Sequence, residues 1–466
     1  MSLLKYVYSN LLSESGVSTG ISKKEFRDNH KLCNEALKKV LSDREKGVTK
    51  YRELPYKKKC IKEIEAFTKK YKDRIEDFVV LGIGGSALGN ITLQTALNPL
   101  TYNSLNKKQR NGFPRIFILD NVDPEFIKSY LLILNPKKTM VNIISKSGTT
   151  TEAMANFLIF YKWLKENKVN PKEHIIVTTD LVKGVLRKIV DKDGYLSLEV
   201  PDGVGGRFSV LSPVGLLSAA FGGINIKRLL KGAEKADIMC SKKNINENPA
   251  FMNAYLHYLL YKKGFDITVL LPYANALSTL GDWFVQLWAE SLGKKFNLKG
   301  EMVNTGLTPI SALGATDQHS QIQLFNEGPF NKVINFIRVK RFRTDIKIPA
   351  IYKEHDELNY LGNRSISELL NKEYLGTMIA LTENNRPNCT FEIPAINEET
   401  MGLLLYLFEV QTSFMGAFLN IDPYDQPGVE NGKLNTYALM KRKGHEARAT
   451  QIKDSLAKRK EHFIEY

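Results

Sequence analysis

The stretch FVVLGIGGSALG, residues 78–89, passes from apolar and β-branched residues through Gly84, Gly85 and Ser86 into a segment with helical spacing. Such a run reads as a strand buried on both faces, and a glycine turn that opens straight into a helix begins a parallel α/β unit. The texture recurs at RIFILD (115–120), NIIS (142–145), HIIVTT (174–179) and LSLEV (196–200), with helical segments between. Five buried strands alternating with helices predict a parallel, doubly wound sheet. Weaker repeats at DITVLLP (266–272), KVINFIRV (332–339) and TMIAL (377–381) predict a second α/β unit.

The remainder is assigned around these two units. A helical N-terminal segment over 1–75 carries a capping box at Ser22 and Glu25. The first α/β domain spans 76–226, a helical bridge 227–254, the second α/β domain 255–435, and a helical tail 436–466. Single cores stop growing at roughly 250–300 residues, so two units suit a chain of 466 residues.

Composition narrows the function. With 43% hydrophobic and 25% charged residues, the chain has the balance of a globular protein. The formal net charge is +16, yet the lysines spread along the whole length instead of forming one arm or stripe, so no nucleic-acid partner is expected. Cys33, Cys60, Cys240 and Cys389 make no CxxC pair and no metal-ligand cluster, which predicts a reducing, cytoplasmic setting, no disulfide framework and no metal. The start, MSLLKYVYSNLLSESG, lacks the pattern of a signal peptide. The uncharged stretch 208–226 contains Pro213, glycines and Asn225, and reads as a buried loop and helix, so no membrane partner is expected.

Six motifs carry chemistry. GIGGS (82–86) ends a strand and opens a helix, so backbone N–H groups around Gly85 and Ser86 can approach an anion; a merely tight turn is the plain alternative. NIISKSGTTTEA repeats that geometry with Ser145, Lys146, Ser147, Thr149 and Thr150 ahead of Glu152, more hydroxyls than an N-cap needs. This set suits a phosphate monoester, held by neutral donors and the helix dipole with Lys146 adding charge. GVGGRFSVLSPVG sets Arg207 behind glycines, either pinned structurally or aimed at ligand oxygen. GDWFVQLWAESLGKK is an amphipathic helix with Gln286 and Glu290 one turn apart, flanked by Trp283, Leu287 and Trp288; a solvated surface glutamate is the alternative. His319 lies in the polar loop GATDQHSQIQ, and PYDQPGVENGK carries Gln426 and Lys433. Either of these last two, alone, would be structural or solvated.

Taken in order, the six segments resemble the glucose-6-phosphate isomerase family, from about Phe78 to Lys433. The resemblance implies two SIS-type (αβα sandwich) domains and reversible isomerisation of glucose 6-phosphate and fructose 6-phosphate by ring opening and a cis-enediol. It further implies that Ser145, Ser147, Thr149 and Thr150 bind the phosphate, with Lys146, Gly85 and Ser86 lining the cleft. Glu290 matches the base, Arg207 the group that stabilises the intermediate, and His319 and Lys433 the ring-opening groups, His319 coming from a partner subunit. Gln286, Gln426 and Glu152 match residues that line or support the sugar site. The family pattern implies no cofactor and a homodimer with shared active sites, for which the apolar run at 401–419 is a core or interface helix. Ser147 and Gly148 stand where many relatives carry a threonine and a bulkier residue. Other readings are a dual phosphoglucose and phosphomannose isomerase, or a non-catalytic SIS-type sugar-phosphate sensor.

Overall fold

The computed structural model describes residues 3–466. Its strands, in chain order, are β1 (Lys5–Val7), β2 (Asp77–Leu81), β3 (Arg115–Leu119), β4 (Thr139–Ile144), β5 (Ile175–Thr179) and β6 (Leu196–Glu199). They continue as β7 (Ile267–Pro272), β8 (Lys294–Phe296), β9 (Met302–Thr305), β10 (Thr308–Ser311), β11 (Lys332–Val339) and β12 (Asn388–Ile393). The first sheet has the order β3-β2-β4-β5-β6 and is parallel throughout, as the alternating strands and helices predict.

Period-two alternation with both faces buried explains why these runs are mostly apolar instead of alternating with polar residues. Phe78 and Val80 enter one core cluster while Val79 and Leu81 enter another on the opposite face. Met140 and Ile144 divide from Val141 and Ile143 in the same way. Each such burial contributes about 1.5–3 kcal/mol, so a polar residue on either face is costly.

The second sheet runs β1-β12-β11-β7-β10, parallel except for β1, which pairs antiparallel with β12. Leu270, Val333 and Ile337 face the same central cluster as Phe78 and Val80, so one core lies between the two sheets. The other face of β7 and β11, through Val269, Leu271, Ile334 and Phe336, has a cluster of its own.

TMIAL (377–381) is not a strand. It belongs to the helix Ile366–Glu383, where Leu370, Tyr374, Met378 and Leu381 recur at three- and four-residue steps and pack on the outer face of the second sheet. The strand of that region is β12, further along the chain. Strand β1 arises in the N-terminal segment expected to be helical; three residues are too few for alternation to show. Beyond it lie the helices Lys23–Asp28, His30–Glu45 and Lys58–Tyr71, the first capped by Ser22 and Glu25 as the sequence predicts. The helix Pro213–Phe221 is buried at every residue. The run at 401–419 falls largely in the helix Glu398–Phe418, which is long and apolar enough to cross a membrane, but 94% of its apolar 18-residue window is buried inside the protein.

Candidate active site

In the first sheet, chain order reverses between β2 and β4, so the loops leaving their carboxyl ends diverge and open a crevice. Those two loops are the glycine turn after Ile83 and the hydroxyl-rich turn 145–150. They border a cleft of about 1030 Å³.

The first turn is a single 3-10 turn, Gly84–Ser86. A side chain at 85 would bring its Cβ to 2.1 Å from the Gly206 carbonyl carbon, so the turn and the loop before Arg207 touch backbone to backbone. Glycine is required there by close approach.

In the second turn Ser145 is buried, and its Oγ accepts the Gly148 N–H at 3.1 Å and lies 3.0 Å from Thr150 Oγ1. Thr149 Oγ1 donates to Ser147 Oγ at 2.9 Å. Thr150 is the N-cap of the helix Thr151–Glu166, yet its side chain does not cap it. The hydroxyls hold one another, and the positive end of that helix is left open. Gly148 has φ +65°, and a Cβ there would stand 2.4 Å from the Leu186 nitrogen, which explains why a bulkier residue is not accepted in this chain.

Arg207 is 2% exposed and held from several sides. Its Nε donates to Ser291 Oγ at 2.7 Å, Nη1 to Gln426 Oε1 at 2.9 Å, and Nη2 to the carbonyls of Pro423 and Asp425 at 2.7 and 2.9 Å. Burial lowers its pKa, and the facing Glu290 carboxylate opposes that shift. Glu290 lies near the end of the helix Ser278–Leu292 with its side chain 26% exposed. Gln286 Nε2 donates to Glu290 Oε2 at 3.0 Å. Trp283, Leu287 and Trp288 turn the other way, into the core, and fix the helix so that Gln286 and Glu290 face the cleft.

Of the residues singled out from the sequence, Gly85, Ser86, Ser145, Lys146, Ser147 and Thr150 line the cleft from one side. Arg207, Gln286, Glu290, Gln426 and Lys433 line it as well. Lys433, on the helix Glu430–Leu439, is half exposed and pairs with Glu430 at 2.8 Å. Lys146 Nζ donates to the Val204 carbonyl at 3.2 Å. Thr149, Glu152 and His319 are not among the lining residues. The Thr149 carbonyl accepts from Tyr437 Oη at 3.2 Å, Glu152 lies in the first turn of its helix, and His319 is exposed in the loop after β10, in the other sheet.

Sequence reading missed Asp180 and Lys183, which follow β5, and Tyr424, all lining the cleft. It also missed Lys294, whose Nζ donates to the carbonyls of Glu290 and Asp425 at 3.0 and 2.7 Å and ties the helix end to the loop that holds Arg207. Burial lowers the Lys294 pKa, opposed chiefly by its hydrogen bond and charge pairing with Asp425. A lysine directly after a helix end, GKK, was the available signal.

Fold and cleft together define a doubly wound α/β protein in which a sheet's switch point opens a cleft lined by a carboxylate, an arginine and a hydroxyl-rich turn. The family model for phosphoglucose isomerase matches residues 28–458. The chain is 44% identical over 420 residues to a glucose-6-phosphate isomerase of Carboxydothermus hydrogenoformans, covering 90% of each. It superposes on the crystal structure of a hypothetical protein from Thermus thermophilus with a TM-score of 0.83 and 34% identity, over 94% of this chain and 99% of that one. A Chlamydia trachomatis glucose-6-phosphate isomerase shares the fold, with a TM-score of 0.72 and 24% identity over 84% of this chain and 76% of that one. The chain belongs to the phosphoglucose isomerase family, as its motifs implied.

Proposed function

We propose that the chain interconverts glucose 6-phosphate and fructose 6-phosphate, a step of glycolysis and gluconeogenesis. The observation that carries this reading is a single cleft shared by the hydroxyl-rich turn 145–150 and the Glu290 carboxylate, with Arg207 3.4 Å from that carboxylate. The named activity of the relatives agrees with it.

The phosphate binds to Ser145, Ser147 and Thr150 and to the Gly85–Ser86 turn, with Lys146 beside them and Thr149 acting through its bond to Ser147; Gln286 and Gln426 line the sugar site and Glu152 supports it from behind. Glu290 takes the C2 hydrogen of the open aldose as a proton. The C–H electron pair becomes the C1=C2 bond of a cis-enediol and the carbonyl oxygen gains a proton. Return of the proton to C1, with loss of the O2 proton, gives the ketose. The step is redox-neutral overall and requires no cofactor. Charge that develops on the enediol oxygens faces Arg207, which uses four of its five N–H groups on Ser291, Gln426, Pro423 and Asp425 and so does not reorganise.

Lys433 and His319 assist ring opening. His319 stands away from the cleft of its own chain, which favours a homodimer in which each copy lends this residue to the other. Phe296, Leu298 and Met302, 49–63% exposed around the β8–β9 hairpin, offer such a dimer apolar surface to bury. We read the two sheets as two SIS-type domains, 76–226 and 255–435, with β1 of the N-terminal segment joined to the second. All four cysteines are free, in keeping with a cytoplasmic location, and neither nucleic acid nor membrane is needed.

A coupled assay from fructose 6-phosphate to glucose 6-phosphate, run with and without chelator, tests the reading, and turnover insensitive to chelator is expected. Tight phosphosugar binding with no turnover would instead identify a sensor. Comparable kcat/KM for mannose 6-phosphate would widen the assignment to a dual isomerase.

A further inference from the structure

We propose, resting on the isomerase reading for the substrate, that a third loop at 180–184 completes the phosphate cradle and that Lys183 adds a mobile positive charge to it. A sugar phosphate is a dianion near neutral pH, and hydroxyls with a helix end supply only partial charges. The lysine of the hydroxyl-rich turn, Lys146, is anchored to the Val204 carbonyl at 3.2 Å, a neutral acceptor that leaves its charge in the cleft, so Lys183 adds a second, unanchored cation. Lys433 is paired with Glu430 at 2.8 Å. Lys183 lines the same cleft as Ser145, Ser147 and Thr150. Among the described residues its ammonium group makes no hydrogen bond and no close ion pair, and the carboxylate that acts on it, through space, is that of Asp180 in its own loop.

Sheet order explains why this loop reaches the cradle. β5 is the neighbour of β4, so the chain leaving its carboxyl end runs beside the turn 145–150. The contact is backbone to backbone, since a Cβ on Gly184 (φ +103°) would lie 2.7 Å from the Ser147 carbonyl oxygen. Asp180, 5% exposed, accepts the N–H groups of Val182 and Lys183 at 2.9 and 3.1 Å and folds the loop back on itself. Lys183 therefore springs from a braced base while its own side chain is exposed and able to swing onto an entering dianion.

Inorganic phosphate, as a competitive inhibitor against fructose 6-phosphate, isolates this contact from the chemistry. Lys183→Ala is expected to raise both the phosphate Ki and the sugar-phosphate KM about tenfold, with kcat within about twofold, and Lys183→Arg to recover most of the loss. Folding is not at stake, because the side chain is exposed and makes no hydrogen bond or close ion pair. A phosphate Ki equal in the wild-type chain and Lys183→Ala would overturn the assignment while leaving isomerisation intact. If the wild-type chain turns over no fructose 6-phosphate, the isomerase reading fails, and calorimetric titration of both chains with phosphate still decides whether Lys183 holds the anion.

Discussion

Arg207 Nη1 stands 3.4 Å from Oε1 of Glu290, an arginine from the loop between the two sheets meeting a carboxylate from a helix of the second. The two differ in freedom. Arg207 is 2% exposed and hydrogen-bonded to Ser291, Gln426 and two carbonyls, whereas Glu290 opens to the cleft. A fixed cation beside a reachable carboxylate suits a reaction in which the carboxylate moves a proton and the cation faces charge that comes and goes.

Glu290→Gln keeps the shape and can keep the bond to Gln286 but removes the base. We expect kcat to fall by at least about a hundredfold while phosphate-ligand affinity stays near the wild-type value. Steady-state kinetics with phosphate inhibition checks this, and near-normal turnover would remove Glu290 from the role.

Thr150→Ala deletes the hydroxyl that pairs with Ser145 in the turn that carries the open helix end. KM for fructose 6-phosphate should rise about tenfold, with a smaller loss in kcat. A larger effect on kcat than on KM would show that the turn acts in the transition state.

Gly85→Ala forces a Cβ to within 2.1 Å of the Gly206 carbonyl carbon, and since both partners are backbone, the loops must separate. The displacement reaches Arg207, one residue further on. A loss in kcat/KM of about a hundredfold is expected with melting lowered by several degrees. Wild-type kinetics in this variant would mean that the loops yield without moving the arginine.

His257 is fully buried; its Nδ1 lies 2.9 Å from the Asn253 carbonyl and its Nε2 3.1 Å from Asn335 Nδ2, so the neutral ring with Nδ1 protonated fits both partners. Burial pushes its pKa down to about 4, opposed by the Asn253 hydrogen bond. An unfolded histidine titrates near 6.5, so between about pH 6.5 and 4 the unfolded chain binds a proton that the folded chain does not. Stability should therefore fall as pH drops through that window, by about 2 kcal/mol between pH 7 and 5 from this residue alone. Chemical denaturation at both pH values should show His257→Gln losing less than the wild-type chain; equal losses would assign the acid sensitivity to other groups.

Much of the fold was legible because strands buried on two faces are dominated by apolar and β-branched residues, and β2, β4, β5, β7 and β11 are. TMIAL misled because a five-residue window of a buried helix looks like a buried strand; only the spacing from Leu370 to Leu381 separates them. β1, β8 and β9 have three or four residues each, too short for any period. Asp180 and Lys183 were missed because TTDLVKG has no unusual composition, and its position beside the anion turn follows from strand neighbourhood.

Residue order alone was enough to establish the strand-turn-helix units, the glycine and hydroxyl turns, and the face of one helix that carries Gln286 and Glu290. It took three-dimensional packing to establish that this face meets Arg207, that Lys146 turns to Val204 while Lys183 makes no close ion pair, and that His319 lies outside the cleft of its own chain. Periodicity records whether a side chain is buried on its own element, whereas the partner it meets is set by the packing of two sheets on one core.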